Sequence, residues 1–389
     1  MRSLAPRLAL ALVLVGVVFA LRWDGSLQHF DFQVWEASQT LVDKGLDPYD
    51  PEVLNAELHA DPVSYGDHWQ VENADVIRRM HFFNPPSWLV QLRLVGTSAL
   101  AMSLAGAIAS FGAIAIIDRD RAIPDYLGHL GAAAYVLIFA MGVTTFRFGQ
   151  IGLLLAGLVG ARLVLGSRRS AGTMIALLSF KPHVAVAAAF PHLARRPVRA
   201  MGAVIVPLAL LFVLTLVWLD PALWRSWVGA LVSPDRPEGF DDLSIRTLSS
   251  RWTLPDWSAS LTLLMGVGAA AYTSLRWQRS NAAVLTLWSM GIVVFTSGHA
   301  FSHDWLWIVF IPPVCAWSLR RSLIVSTLFA TGYSFAYAVS RRVDFETVSL
   351  RSLFGLVVVL YLGWAAYESH RYNTTADLER MTEREPSAA

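Results

Sequence analysis

Apolar runs recur along the whole chain and are separated by short polar breaks. Their lengths predict membrane-spanning or near-spanning helices at 4–22, 86–117, 126–143, 149–166, 171–180, 182–194, 200–219, 257–276, 281–298, 303–319, 322–340 and 351–368, because about 20 apolar residues in a helix cross a hydrocarbon core about 30 Å thick. The runs 171–180 and 182–194 are short and meet at Lys181-Pro182. A proline there interrupts a helix, so they read as two half-length helices forming a hairpin. Between 31 and 44 the pattern changes: Phe32, Trp35, Ala37, Ser38, Leu41 and Val42 fall at near-helical spacing among Asp31, Glu36 and Lys44. This is the signature of an amphipathic helix lying in the interface. The expected fold is an all-α polytopic bundle of about 11–12 transmembrane helices with interfacial helices in the first outer loop. Residues 1–369 would form a single integral-membrane domain and 370–389 a solvated, disordered tail.

Composition sharpens the class. Of 389 residues, 55% are hydrophobic and 15% charged, against about 25% charged in a soluble domain. A net charge of +2 gives no ground for a nucleic-acid partner. Cys315 is the only cysteine, so no intramolecular disulfide can form. Arg2 and Arg7 precede the first apolar run, and Val18-Phe19-Ala20 has the look of a cleavage site; the favoured reading is a retained helix.

Charge then orients the bundle. With the N-terminus in the cytoplasm, alternation places Arg119 and Arg121, Arg168 and Arg169, Arg195, Arg196 and Arg199, Arg276 and Arg279, and Arg320 and Arg321 in cytoplasmic loops. The C-terminal tail, with Arg371, Arg380 and Arg384, falls on the same side. This follows the positive-inside rule, with Arg341 and Arg342 as the exception. Both termini are then cytoplasmic in a plasma-membrane protein. The unusual polar clusters all reach the extracytoplasmic side: 23–85, Arg147 to Gln150, Lys181 to His183, 220–256 and His299 to Asp304.

Each cluster has a plain reading beside a chemical one. Asp31, just past the first run, is placed either to cap the amphipathic helix or to serve as a general base at the membrane surface. Asp47-Pro48-Tyr49-Asp50-Pro51 is turn chemistry. Asn84-Pro85-Pro86 opens the second run, with proline at an ordinary helix start. Arg147 between two phenylalanines can snorkel, whereas Gln150 at a membrane end is costlier to leave without a partner. Lys181 and His183 at a break between half-helices need partners or a wet cavity. Ser244, Arg246 and Arg251 in the 220–256 loop could hold a phosphate through charge-assisted bonds. His299 and His303 are four apart, but no third ligand is indicated, so no metal and no cofactor are expected. Asp118-Arg119-Asp120 reads as a solvated turn. Phosphate-loop, dinucleotide and nucleophile-elbow motifs are absent.

In this order the clusters resemble the GT-C class of integral-membrane glycosyltransferases, and most closely glycosyltransferase family 87. The matching features are Asp31 after the first span, the turn Gly45 to Tyr49, the Pro85-Pro86 entry, Gly149-Gln150, the Lys181-Pro182 break, Ser244 with Arg251, and His303. Asp242-Leu243 stands where Asn-Gln is usual, and Phe301-Ser302 where Trp-Asp is. The resemblance implies transfer of a hexose, mannose in that family, from a polyprenyl-phosphate donor to a glycolipid or surface-glycan acceptor, with inversion. Asp31 would be the catalytic base. Lys181, His303, Arg251, Arg246 and Arg147 would bind the donor phosphate, and Asn84, Gln150, Ser244, His183 and Asp304 would position substrate. A transporter or lipid flippase, a polyprenyl-diphosphate-dependent glycan polymerase or ligase, and a non-catalytic scaffold are the competing readings.

Overall fold

A chain this apolar must satisfy its backbone polar groups internally, and within a bilayer a helix does so segment by segment. Helices are accordingly the only regular structure among the described residues of the protein, a computed structural model covering 4–22, 30–60, 82, 84–96, 98–121, 126–140, 151–166, 169–195, 197–232, 257–297, 302–318, 320–328, 330–331 and 350–382. Among the described residues, three helices are long and apolar enough to cross a membrane: α1 (Ala5–Arg22), Ala99–Asp120 and Pro197–Trp218. Shorter apolar helices surround them, and the molecule is an all-α polytopic membrane protein.

The segment after α1 supplies α2 (Phe30–Asp43) and α3 (Pro51–Ala60). The turn between them depends on Gly45 at φ +72°, a backbone conformation open to glycine at little cost. Leu46 N donates to Leu41 O at 2.8 Å, Tyr49 N to Asp47 Oδ1 at 2.9 Å, and Glu52 N to Asp50 Oδ1 at 2.9 Å, which caps α3. The Lys44–Glu57 ion pair at 2.6 Å joins the two helices. α2 is more enclosed than an interfacial helix would be: from Phe32 to Ser38 only Glu36 is exposed.

The run at 86–117 is not one helix. It divides into α4 (Pro86–Val95) and α5 (Ala99–Asp120). Gly96 at φ +85° donates to Leu92 O and closes α4, and Ser98 accepts from Ala101 N at 3.3 Å to open α5. Apolar residues continue through the break, so hydropathy alone misses it. Next come α6 (Tyr126–Tyr135), extended by a π turn at Val136–Ala140, and α7 (Gly152–Leu165). α1 packs against α5 and α6, with Arg7 buried and its guanidinium 4.4 Å from the centre of the Tyr126 ring. α5 and α7 approach until backbone meets backbone. A Cβ on Gly106 would lie 2.3 Å from the Leu153 carbonyl carbon, and one on Gly157 2.8 Å from Gly106 O. Small residues permit such contact where lipid offers no hydrophobic drive between helices.

The hairpin consists of α8 (Arg169–Leu177), a 3-10 turn (Leu178–Phe180) and α9 (Pro182–Arg195). α10 (Pro197–Trp218) begins where α9 ends, and Gly172 near the start of α8 packs directly on Ala203 near the start of α10. The start of α8 and the end of α9 therefore share one end of the bundle, and Lys181 is the tip at the other. α11 (Ala222–Val232), α12 (Trp257–Arg276) and α13 (Ala282–Thr296) follow. Trp288 Nε1 donates to Thr273 Oγ1 at 2.9 Å to clip α12 to α13. The run at 303–319 is no regular span: a 3-10 helix (Ser302–Phe310) passes into a short α-turn (Ile311–Val314) containing Pro312 and Pro313. Residues 320–328 are helical.

The last helix, α14 (Leu350–Thr382), continues past the apolar run, so 370–382 are helical rather than the irregular tail that composition suggests. Asn281 N donates to Ser369 Oγ at 2.8 Å and Asn373 Nδ2 to Arg279 O at 2.7 Å, contacts that hold this extension. Residues 383–389 lie outside the described residues.

Candidate active site

Lys181 owes its place to the residue after it. Pro182 has no N–H and disfavours helical geometry one residue earlier, and Lys181 sits at φ −119°, ψ 82°. Its carbonyl accepts from Val184 N at 2.9 Å and Ala185 N at 3.1 Å, so the reversal is also the start of α9. From the tip, Lys181 Nζ lies 2.9 Å from Asp304 Oδ1. The Asp304 side chain is fully buried, and that of Lys181 is 16% exposed. Desolvating a carboxylate costs several kcal/mol, and the ammonium offsets part of that cost. An ammonium has three hydrogens and retains some access. His183, the second residue of α9, carries an Nε2 that is covered yet lacks a hydrogen-bond partner among the described residues, and the charges of Asp304 and Lys181 both act on its ring.

A ladder of rings links this tip to α2. Phe180 packs on Trp88 with centroids 4.9 Å apart, Trp88 on Trp35 at 5.3 Å, and Trp35 on Phe32 at 4.7 Å. Polar contacts follow the same route. Asn84 Nδ2 donates to Phe180 O at 3.3 Å, and Tyr49 Oη donates to Asn84 O at 2.8 Å. Burial, with Asp47 nearby, holds the Tyr49 phenol protonated well above its ordinary range. α2 is fastened to α4 by Gln39 Nε2 on Leu89 O at 3.2 Å and by an Arg93–Asp43 ion pair. Asp31 is the second residue of α2, one turn before Trp35, in the turn where helix geometry favours negative charge.

Asn84, Lys181, His183 and Asp304 thus gather at the hairpin tip. His303 directly precedes Asp304 in the 3-10 helix. Arg147, Gln150, Ser244, Arg246 and Arg251 lie outside the described residues. Among the described residues no three His, Cys, Asp or Glu side chains converge as a metal site would need.

The same region holds donors that the sequence reading passed over. Trp88 Nε1, Gln91 Nε2, Trp305 Nε1 and Trp307 Nε1 are buried without a hydrogen-bond partner among the described groups. Buried indole N–H groups usually find one. Their signal was the aromatic and amide residues inside two apolar runs, where a lipid-facing helix has no use for them.

At the other end of the molecule one reading needs correction. Asp118 is not part of a solvated turn but completely buried. His129 Nδ1 lies 2.7 Å from Asp118 Oδ1, and Nε2 lies 2.7 Å from Trp317 O. A carbonyl only accepts, so Nε2 carries hydrogen, and Nδ1 and the carboxylate hold a second proton between them. Arg121 donates to the carbonyls of Pro313 and Val314. This network ties α5 and α6 to the segment that carries Asp304. Asp120, by contrast, is exposed and paired with Arg119.

The family model described as Glycosyltransferase family 87 matches residues 80–301, more than half of the chain. The match includes Asn84, Lys181 and His183, begins after Asp31 and ends just before His303 and Asp304. No curated protein and no solved structure matches the chain.

Proposed function

The chain belongs to glycosyltransferase family 87 and is a glycosyltransferase, and we propose that it transfers a hexose, mannose by family resemblance, from a polyprenyl-phosphate donor to a glycolipid or cell-surface glycan on the extracytoplasmic side. Residues 1–369 act as one GT-C-type membrane domain with both termini in the cytoplasm. The donor enters laterally from the lipid. The Asp31 carboxylate takes the proton of the acceptor hydroxyl as that oxygen attacks the anomeric carbon. The bond from this carbon to the phosphate oxygen breaks on the opposite face, the configuration inverts, and polyprenyl phosphate departs with its electron pair.

The leaving group gains negative charge, and preorganised cations lower its energy. Lys181, His303, Arg251, Arg246 and Arg147 take that role. His183 Nε2, without a protein partner, bonds the phosphate or the sugar. Asn84, Gln150 and Ser244 position substrate, and the unpaired donors of Trp88 and Gln91 suit sugar hydroxyls. Asp304 holds Lys181 in place rather than touching the sugar. One phosphate met by several cations calls for no metal or other cofactor.

A single arrangement supports this reading above the rest: an ammonium at a helix break, oriented by a buried carboxylate at 2.9 Å and linked through Phe180 and Trp88 to the helix that carries Asp31 in its first turn. Broken helices also suit a transport path, and family membership decides for the enzyme. The test is purified protein with a panel of polyprenyl-phosphate and polyprenyl-diphosphate sugars. Transfer is expected from the monophosphate donor, with Asp31→Asn reducing it by about 10²–10⁴ and leaving thermal unfolding unchanged. Near wild-type transfer by Asp31→Asn would remove Asp31 from the mechanism, and use of diphosphate donors alone would overturn the donor class.

A further inference from the structure

A second charged site lies at the end of the bundle opposite Lys181. α9 runs 14 residues from the hairpin tip to Arg195, a distance of about 20 Å. There the charge of Arg195 reaches Arg162, in the last turn of α7. Arg162 is only 3% exposed. Its Nη1 donates to Gly166 O at 2.6 Å, and its Nε has no partner. Arg195 is half-buried, donates through Nη2 to Ser280 O, and likewise has an Nε without a partner. The charge of Arg195 acts on Arg162 as repulsion, and neither forms an ion pair with a carboxylate among the described residues.

The surroundings add positive charge. The Ser280 turn is flanked by Arg276 and Arg279, both of which repel a positive charge on His370 of α14. Ser280 Oγ donates to Ala366 O at 2.9 Å, which holds the turn against α14. Glu368, on that helix, forms no ion pair with a described residue.

A guanidinium withdrawn from water, as that of Arg162 is, with a second positive charge acting on it and no counter-ion among the described residues, is costly. Snorkelling does not describe Arg162, because a snorkelling side chain keeps its head in water. Guanidinium forks match phosphate oxygens in pairs, and basic pockets between membrane helices fit anionic lipid headgroups. We propose that Arg162 and Arg195 form a binding site for the phosphate of an anionic membrane-lipid headgroup, separate from the donor-lipid site at Lys181. The bound lipid supplies the missing counter-charge and ties the ends of α7 and α9 to the Ser280 turn.

The test uses the full-length protein in neutral detergent, with native mass spectrometry and thermal unfolding as readouts. Phosphatidylglycerol is expected to remain as a one-to-one adduct and to raise the unfolding temperature, and phosphatidylcholine to do neither. Arg195→Gln should weaken retention by about tenfold or more, the worth of a lost charge-assisted hydrogen bond. Arg195→Lys should fall between, because it keeps the charge and loses the fork. Inorganic phosphate should not protect; protection equal to that of phosphatidylglycerol would mean a free-anion site and overturn the lipid assignment. Equal retention of the two lipids by wild-type protein, or undiminished retention in Arg195→Gln, would overturn the site itself. The wild-type comparison decides the charge requirement whatever the folding yield of the variants.

Discussion

Replacing Lys181 with methionine separates what the ion pair does for stability from what it does for transfer. The Asp304 side chain has no solvent exposure, and its charge is balanced by Nζ at 2.9 Å. Lys181→Met takes the ammonium away from that buried carboxylate, at a cost of about 3–5 kcal/mol. Asp304→Asn is milder. Lys181 retains 16% exposure and some access to water, so the loss should not exceed the worth of a hydrogen bond to a charged group, about 1.5–3 kcal/mol. The double variant Lys181→Met/Asp304→Leu removes both charges together, and its stability should return close to wild type, because replacing a buried pair with apolar groups is often neutral. Transfer should not return: both variants without the ammonium should lose about 10²–10³ in rate, the usual effect of removing one group that stabilises developing negative charge. Stability is read from thermal and denaturant unfolding in detergent, and rate from transfer out of a polyprenyl-phosphate sugar. A double variant as unstable as Lys181→Met would refute the account of the buried pair, and a stable double variant with wild-type transfer would refute the role given to Lys181.

Other substitutions probe the scaffold. Gly106→Val should abolish folded yield, since even a Cβ there would lie 2.3 Å from the Leu153 carbonyl carbon, whereas Gly112→Val on the same helix, with open space around it, should be recovered normally by fluorescence-detected size exclusion. His129→Ala should destabilise more than the pair Asp118→Leu/His129→Leu, because the single change strands a buried carboxylate; the reverse order in thermal unfolding would contradict the buried pairing. Tyr49→Phe removes the bond to Asn84 O and should cost about 0.5–1.5 kcal/mol of stability, and a loss above 3 kcal/mol would point to a role beyond that bond.

The class of the molecule could be read from the chain because the hydrophobic effect and backbone satisfaction in lipid act on composition and run length, which are local properties. The turn at 45–51 was equally legible, since Gly45, Asp47 and Asp50 each have conformational or hydrogen-bonding habits that operate within a few residues. So was the reversal at Lys181, which depends on the single proline after it. Breaks carried by weaker signals were not: the helix divides at Gly96 within continuous apolar sequence, and the last helix runs on through polar residues to Thr382.

Charge identity is local, but the partner of a charge is not. Lys181 and Asp304 lie 123 positions apart and meet at 2.9 Å, while Asp118, beside exposed Asp120, is buried on His129. Pairings of this kind arise only when helices pack, because the cost of burying each group depends on what other segments bring to it. The amino-acid pattern therefore settled that this is a helical membrane protein. Packing alone determined that Asn84, Lys181, His183 and Asp304 share one end of the bundle, and that the charge of Arg195 reaches Arg162 at the opposite end.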